Sequence, residues 1–186
     1  MPTPMHQLKS MKRCHKAPLN PMLLHLRLDN VGAYNLDIDV GDKRFSTIIS
    51  LKQVPSFLIE AFTRLNECDA WNVEGIFRKE GNVNRIKNVI PVYFGTVPIP
   101  RECMIHDICT LIKRFFREIR APIFADKQRT LLKYAENLAD NNSTTVNLIL
   151  ETINKGLLAC HVGTLGYVMR LLKEVKLGNR KRCDRN

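Results

Sequence analysis

Apolar residues recur at helical spacing along most of this 186-residue chain, and this periodicity limits the folds that the chain can adopt. The apolar stripes lie at residues 57–65, 83–90, 105–119, 131–138, 146–157 and 161–175. An amphipathic helix needs a second element against which it buries its stripe. Because these stripes must bury one another, the pattern predicts an all-α fold, with a single irregular helical domain over residues 45–186. Gly178 is predicted to end the last helix, since glycine is common just past a helix C terminus.

The first 44 residues form a basic N-terminal segment that lacks this periodicity. Residues 1–28 contain no acidic residue and four of the nine prolines of the chain. This composition predicts a poorly ordered or divergent segment. A mitochondrial presequence is also basic and acid-poor, but the prolines interrupt any long amphipathic helix. The stretch "LDIDV" at residues 36–40 alternates apolar and acidic residues, which is typical of a short strand or of an extended entry segment.

The cysteine pattern and the hydropathy predict a cytoplasmic protein. The six cysteines show no C-x-x-C spacing, and the sequence contains neither an apolar signal segment nor a run of about 20 apolar residues. Reduced thiols are therefore expected rather than a disulfide framework. A zinc site would need more closely spaced ligand pairs, so we predict no metal site.

The chain is strongly basic, with 29 Lys and Arg residues against 18 Asp and Glu residues and a net charge of +11. This surplus favours anionic partners, among them nucleic acid, anionic lipid, a nucleotide or an acidic protein surface. One Trp and four Tyr residues provide no evident platform for stacking bases, so nucleic acid is not expected as the main partner. Proximity to an anionic membrane is compatible with the charge. No sequence feature indicates a homo-oligomer.

No self-contained catalytic constellation is evident. The chain has neither an H-E-x-x-H motif nor the G-x-x-x-x-G-K-[ST] motif of nucleotide hydrolases, and none of its five histidines lies beside a nucleophile-like Ser or Cys. His161 lies on the inner stripe of the last helix, which is typical of a packed side chain rather than of a ligand. We therefore predict neither an enzyme with its own active site nor a bound cofactor.

Arginine and lysine carry the most distinctive chemistry of the sequence. Arg78 lies in a loop between Gly75 and Gly81, and Lys113 and Arg117 stand one helical turn apart on one helix face. Each residue, taken separately, is compatible with an ordinary solvated surface, because most such side chains are exposed. A loop arginine is also suited to phosphate recognition, since its guanidinium stays charged and offers forked donors.

Four segments of the chain match known patterns in a fixed order. The loop "GIFRKEG" at residues 75–81 fits G-[IL]-[FY]-R-x-S-G in most positions, and "DICTLIKRFFREIRAPI" at residues 107–123 is close to D-x-x-x-L-L-K-x-[FL]-[FL]-R-E-L-P-x-P-[LI]. Residues 54–62 look like an opening helix of the same type, and residues 161–175 like a later one. Together they resemble the Rho GTPase-activating protein (RhoGAP) family. The resemblance covers residues 54–177.

The resemblance implies a function exerted on another protein. Members of the family bind a Rho-type small GTPase in its GTP state and insert the loop arginine into the nucleotide site, where GTP and Mg²⁺ belong to the partner. By this resemblance Arg78 is expected to be the arginine finger, Arg117 to brace its loop through hydrogen bonds, and Lys113 to face the GTPase. The residues expected to support the loop are Gly75, Phe77 and Gly81. The chain would thus act in signal transduction by accelerating a partner's GTP hydrolysis.

Three departures from the family pattern leave a second function open. Glu80 stands where the family has a serine, and Arg120 stands where it has a proline. The family's N-L-A-x-x-F-x-P-x-L segment does not follow the last helix, so we expect a RhoGAP-type domain without its last helices. Asn186 falls at or next to the position of the family's asparagine, but no Leu-Ala follows it and its role is left unassigned. The alternative is a catalytically impaired domain that binds a GTPase without accelerating it.

Overall fold

The structure is a computed structural model of the chain, and it describes residues 8–15, 28, 31–39, 48–89, 94–136 and 143–183. Three strands come first, at β1 (Leu8–His15), β2 (Ala33–Asp39) and β3 (Ile48–Pro55). The α-helices of the described part are α1 (Ser56–Glu67), α2 (Val83–Ile86), α3 (Ile105–Glu118), α4 (Gln128–Glu136), α5 (Ser143–Gly156) and α6 (Ala159–Cys183). Single turns of 3₁₀ helix lie at Ala70–Asn72 and Ala125–Lys127. Helices thus make up most of the described residues from Ser56 onward, which confirms the all-α class predicted for the domain.

The three strands form an antiparallel sheet in the order β1-β2-β3, which the helical periodicity did not predict. In β2, Leu36 and Ile38 are buried, while Asp37 between them accepts a hydrogen bond from Ser50 Oγ of β3 at 2.6 Å. This alternation is the period-two pattern of a half-buried strand, so "LDIDV" contributes to a strand. The division of the chain at residue 44 stays a prediction, although β2 on one side of it pairs with β3 on the other.

The hydrophobic core lies where α1 and α3 bury their apolar stripes against each other and against the sheet. Phe57 of α1 stacks on Phe115 of α3 with ring centroids 5.3 Å apart, and the Phe94 ring lies 4.3 Å from that of Phe57. All three rings are buried. Because burying such a side chain contributes about 1.5–3 kcal/mol, this aromatic cluster fixes α3 relative to α1.

Helix α6 packs across β3 and the first 3₁₀ turn, and it thereby joins the sheet to the helical domain. Tyr167 is buried on its inner side, where the ring meets Phe62 of α1 edge-on at 6.0 Å. The helix continues to Cys183, so the predicted stop at Gly178 is wrong. An isolated glycine inside a helix costs only about 1 kcal/mol relative to alanine, which is too little to end a helix by itself. Neither α6 nor any other helix of the described residues is both long and apolar enough to cross a membrane.

Candidate functional site

The candidate site is the segment of residues 73–82, named here the arginine loop, which connects the first 3₁₀ turn to α2. A tight turn forms inside it, because the N–H groups of Arg78 and Lys79 both donate to the carbonyl of Gly75 at 2.9 Å. Gly75 has a φ of +75°, in the left-handed region that glycine adopts without the steric cost that other residues meet. The turn therefore needs a glycine at this position.

Phe77, directly before Arg78, is also left-handed, with a φ of +62°. This conformation costs a bulky residue on the order of 1–3 kcal/mol, so surrounding contacts must compensate for it. The side chains of Ile76 and Phe77 both pack against the hydrophobic core. The apolar pair thus anchors the arginine loop to the core and leaves Arg78, the next residue, at the surface.

The Arg78 side chain extends into solvent, with 77% of its surface exposed. Its nearest charged partner is Glu74, whose Oε1 lies 3.9 Å from the guanidinium. An exposed ion pair of this length contributes little to stability and is readily exchanged for another. The loop therefore presents a permanently charged, forked donor to solvent, on a backbone that is fixed by contacts of the neighbouring residues.

Three residues of α3, spaced three apart, hold the backbone of the arginine loop. In order along the helix, the contacts are Asn82 N–H to Asp107 Oδ1 at 2.6 Å, Gly81 N–H to Thr110 Oγ1 at 2.8 Å, and Lys113 Nζ to the Phe77 carbonyl at 3.3 Å. Residues three apart lie along one side of a helix, so the loop runs along α3. The sequence motif gave Lys113 a role but gave none to Asp107, its first residue, or to Thr110, although the spacing D-x-x-T-x-x-K was available as a signal.

Asp107 is fully buried at the start of α3 and ties three elements together. Its second carboxylate oxygen accepts hydrogen bonds from the Met104 N–H at 2.8 Å and from Arg85 Nε of α2 at 2.5 Å. Burial alone would raise the pKa of Asp107, but the hydrogen bonds from Arg85 and from the backbone amides of Met104 and Asn82 outweigh it and hold that pKa below its usual value. The buried carboxylate thus stays charged and fixes α2 and the arginine loop to α3.

Gly81 lies where the arginine loop passes closest to α3. A Cβ at this position would lie 2.6 Å from the Cα of Asp107 and 2.9 Å from its backbone nitrogen. Backbone atoms cannot move aside as the end of a flexible side chain can, so any side chain here would push the loop off the helix. Lack of space, rather than an unusual φ, accounts for glycine at this position.

Lys113 and Arg117 make different contacts in the free chain from those that the resemblance implies. Lys113, expected to face the GTPase, contacts the loop at the Phe77 carbonyl and at the Glu80 carboxylate. Arg117, expected to brace the loop, leaves 74% of its side chain exposed and lies 3.8 Å from Glu118 Oε1. Among the described residues no hydrogen bond joins Arg117 to the arginine loop. The roles of both residues in a complex stay predictions.

Two other residues considered as candidates, His161 and Cys109, make no described contact with the charged groups of the arginine loop. His161 is buried, and its Nδ1 donates to the Ile123 carbonyl at 2.9 Å, so it is a packed side chain. Burial raises the pKa of the Cys109 thiol to about 11, so this cysteine of α3 stays protonated and unreactive at neutral pH. Within the described part of the chain, no three His, Cys, Asp or Glu side chains are placed to hold a metal ion. Asn186 lies outside the described residues.

In a comparison with known protein families, residues 55–182 match the model of the RhoGAP domain. This region includes the whole arginine loop and α3. The chain is 36% identical over 137 residues to Rho GTPase-activating protein 11A of Homo sapiens, a match that covers 71% of this chain and 12% of that protein. It is 27% identical over 78 residues to Rho GTPase-activating protein gacH of Dictyostelium discoideum, covering 41% of this chain and 14% of that protein. The matched region is therefore a small part of each relative's own length.

Proposed function

The chain belongs to the RhoGAP domain family, and from this premise we propose that it binds a Rho-type small GTPase in the GTP state and inserts Arg78 as an arginine finger. The observation that carries the proposal is the exposed Arg78 guanidinium on a loop whose backbone is held by the core and by α3. Family membership supports a Rho GTPase-activating function in general. The finger and the preference for the GTP state are the finer steps proposed here.

The chemistry of GTP hydrolysis explains why a fixed arginine is suited to this role. Charge builds on the phosphoryl oxygens during transfer, and an arginine supplied by a second protein accelerates hydrolysis by about 10³ to 10⁵-fold. A side chain that is still mobile loses conformational entropy when it is immobilised at the transition state. The left-handed turn at Phe77 and the contacts with α3 restrict the backbone before the partner arrives, so the loss is confined to the Arg78 side chain.

The chain is proposed to complete the active site of its partner rather than to contain one. GTP and Mg²⁺ belong to the GTPase, and this chain supplies Arg78 without a cofactor of its own. Arg117 lies on the same side of α3 as the loop and is proposed to contribute to the GTPase-binding surface, whereas Lys113 contacts the loop itself. The net charge of +11 fits an acidic partner surface or a partner held near an anionic membrane, and the cysteine pattern fits the cytoplasm.

A second candidate function is a domain that binds the GTPase without accelerating it. The observation that favours it is that Arg78 and Lys113 both have intramolecular carboxylate partners, which are Glu74 and Glu80 respectively. Arg78 must leave Glu74 before it can reach a phosphate. Because that pair is long and exposed, its exchange for a phosphate contact costs little, and we therefore favour the activating function.

The two functions are separated by measuring binding and turnover together. A panel of purified Rho-type GTPases, loaded with GDP or with a non-hydrolysable GTP analogue, is titrated with this chain, and GTP hydrolysis is measured at the saturating concentrations so found. The activating function predicts tighter binding to the analogue-loaded form and faster hydrolysis. Binding at saturation with hydrolysis at the basal rate would assign the second function instead. A chain that neither binds nor stimulates any member of the panel would contradict both.

A further inference from the structure

The carboxylate of Glu80 makes contacts that the family resemblance does not explain. Glu80 stands two residues after Arg78, near enough in sequence for its carboxylate to pair with the Arg78 guanidinium. Instead it accepts hydrogen bonds from two side chains of α3, Lys113 Nζ and Thr110 Oγ1, the latter at 3.2 Å. The side chain is nevertheless 69% exposed, so burial does not force it into this position.

The same two α3 side chains also hold the backbone on either side of Arg78. Lys113 Nζ donates both to the Phe77 carbonyl, directly before Arg78, and to Glu80, two residues after it. Thr110 Oγ1 accepts from the Gly81 N–H and donates to Glu80. The four contacts form one connected network, in which Glu80 is the acceptor shared by both helix residues.

We propose that Glu80 is a positioning residue for Arg78, because it holds the Lys113 ammonium against the Phe77 carbonyl and thereby clamps the arginine loop to α3. Lysine is a compact, strongly hydrated charge on a flexible four-carbon stem, and a single neutral carbonyl is a weak competitor against water for it. An anionic acceptor beside that carbonyl strengthens the hold through a charge-assisted hydrogen bond. Glu80 thus compensates for part of the strain of the left-handed Phe77.

The electrostatics of the pair agree with this geometry. The hydrogen bond from Lys113, followed by that from Thr110, holds the pKa of Glu80 below its usual value. Arg117, one turn further along α3, adds a smaller effect of the same sign through its charge. Glu80 is therefore charged across the neutral range, where the clamp must operate.

The clamp gives Lys113 a different role from the one that the resemblance implies. Its ammonium acts on the arginine loop from within the chain, and a direct contact with the GTPase is not needed for its effect on turnover. The inference rests on the proposed function, since Arg78 must be the finger for its positioning to matter. Removing Glu80 distinguishes the two roles, because Lys113 is then free to contact an acidic partner but is no longer held against the Phe77 carbonyl.

The kinetic test measures GTP hydrolysis by a responsive Rho-type GTPase as a function of the concentration of this chain. Glu80→Ala and Lys113→Met are each expected to lower the saturating rate by about tenfold, as for a misplaced catalytic group, while the half-saturating concentration stays within about twofold. The double variant Glu80→Ala with Lys113→Met is expected to lower the rate little further than either single variant, because both residues act through one clamp. A matched control is Glu151→Ala, which breaks the similar ion pair with Lys155 on α5, far from the loop in the chain, and is expected to leave both parameters unchanged.

Two kinetic results would overturn the clamp. One is a wild-type saturating rate for Glu80→Ala in an assay where Arg78→Ala abolishes stimulation, because the finger would then work without Glu80. The other is a loss in Lys113→Met that appears only in the half-saturating concentration, while the saturating rate keeps the wild-type value. That pattern would assign Lys113 to direct contact with the GTPase.

A second measurement keeps the clamp testable without any GTPase. The carboxylate of Glu80 is titrated by carbon-detected nuclear magnetic resonance in the wild-type chain and in Lys113→Met. The clamp predicts that the pKa of Glu80 rises toward its usual value in the variant, and that the amide signals of residues 77–81 shift. An unchanged Glu80 titration would overturn the clamp even if stimulation is intact. If the wild-type chain stimulates no GTPase, the proposed function fails, and this titration decides the clamp separately.

Discussion

At the scale of single residues, the arginine loop has three positions with different roles, which are Phe77, Arg78 and Gly81. Phe77 places its ring against the core in a left-handed conformation, and Arg78 extends outward with most of its surface exposed. Gly81 returns the chain to α3 at a distance that no side chain permits. The sequence motif identified all three residues. The reasons for the two glycines differ, however, because Gly75 is required by its φ and Gly81 by the space beside Asp107.

Replacing Gly81 with alanine tests the close approach of the loop to α3. The added Cβ would meet the backbone of Asp107, so we expect Gly81→Ala to lower the free energy of unfolding by about 1–3 kcal/mol, as measured by urea denaturation. Gly156→Ala is the control, since the nearest atoms to its Cβ belong to the Lys127 side chain, at 3.0 Å or more, and not to backbone. A Gly81→Ala variant as stable as the wild type would show that the loop does not lie against the helix as described.

At the scale of elements, α3 organises the site, because a single helix supplies the partners for the loop backbone. Its apolar stripe predicted the helix from the sequence, since helical periodicity is a local property of the chain. The partners of its polar residues were not predicted, because they depend on where a loop 25 or more residues earlier crosses the helix. The strand partners of β2 were missed for the same reason, since pairing is not local and only "LDIDV" carried a strand signal.

The buried Asp107 makes the attachment of the arginine loop dependent on pH. The pKa of Asp107 lies below the unfolded value of about 3.9, so the carboxylate stabilises the fold above that pH, and this stabilisation is lost as the pH falls through the folded pKa. Asp107→Asn keeps the shape but loses the charge, and we expect it to lower the free energy of unfolding at neutral pH by about 2 kcal/mol.

Urea denaturation of Asp107→Asn at a series of pH values checks this expectation. The difference in stability from the wild type should shrink as the pH falls below about 4, because the unfolded wild-type chain then takes up a proton that the folded carboxylate resists until its own lower pKa is reached. Asp126→Asn is the control, since that exposed carboxylate pairs only with its neighbour Lys127 and contributes little. A variant that differs from the wild type by the same amount at all pH values would contradict the role of the charge.

At the scale of the whole molecule, the sheet and the helical domain share one core. Leu36 and Ile38 of β2 belong to the same buried cluster as Phe57 and Phe115, and α6 packs against β3 from the other end of the chain. The sequence predicted a helical domain and a separate N-terminal segment, since the segment has no periodic stripe. Burial of β2 in the common core was not visible in the sequence, because two buried residues in an alternating stretch do not identify their partners.

Removing the N-terminal segment measures how far the helical domain depends on it. A chain of residues 45–186 lacks β2, and the loss of buried Leu36 and Ile38 is expected to lower the free energy of unfolding by at least about 3 kcal/mol. Leu36→Ala in the intact chain should account for about 2–4 kcal/mol. Urea denaturation of both proteins checks the two values. An unchanged midpoint for the shortened chain would show that the helical domain folds independently of the sheet.

The finger assignment is tested most directly by single-turnover GTP hydrolysis in a responsive Rho-type GTPase at saturating concentrations of this chain. We predict that Arg78→Ala lowers the stimulated rate by about 10³-fold or more while binding to the GTP-analogue form persists. Arg78→Lys should not restore the rate, because lysine lacks the forked donors of arginine. Arg129→Ala on the exposed side of α4 is the matched control, and it should stimulate GTP hydrolysis by the GTPase to the wild-type rate. Full stimulation by Arg78→Ala would contradict the assignment of Arg78 as the arginine finger.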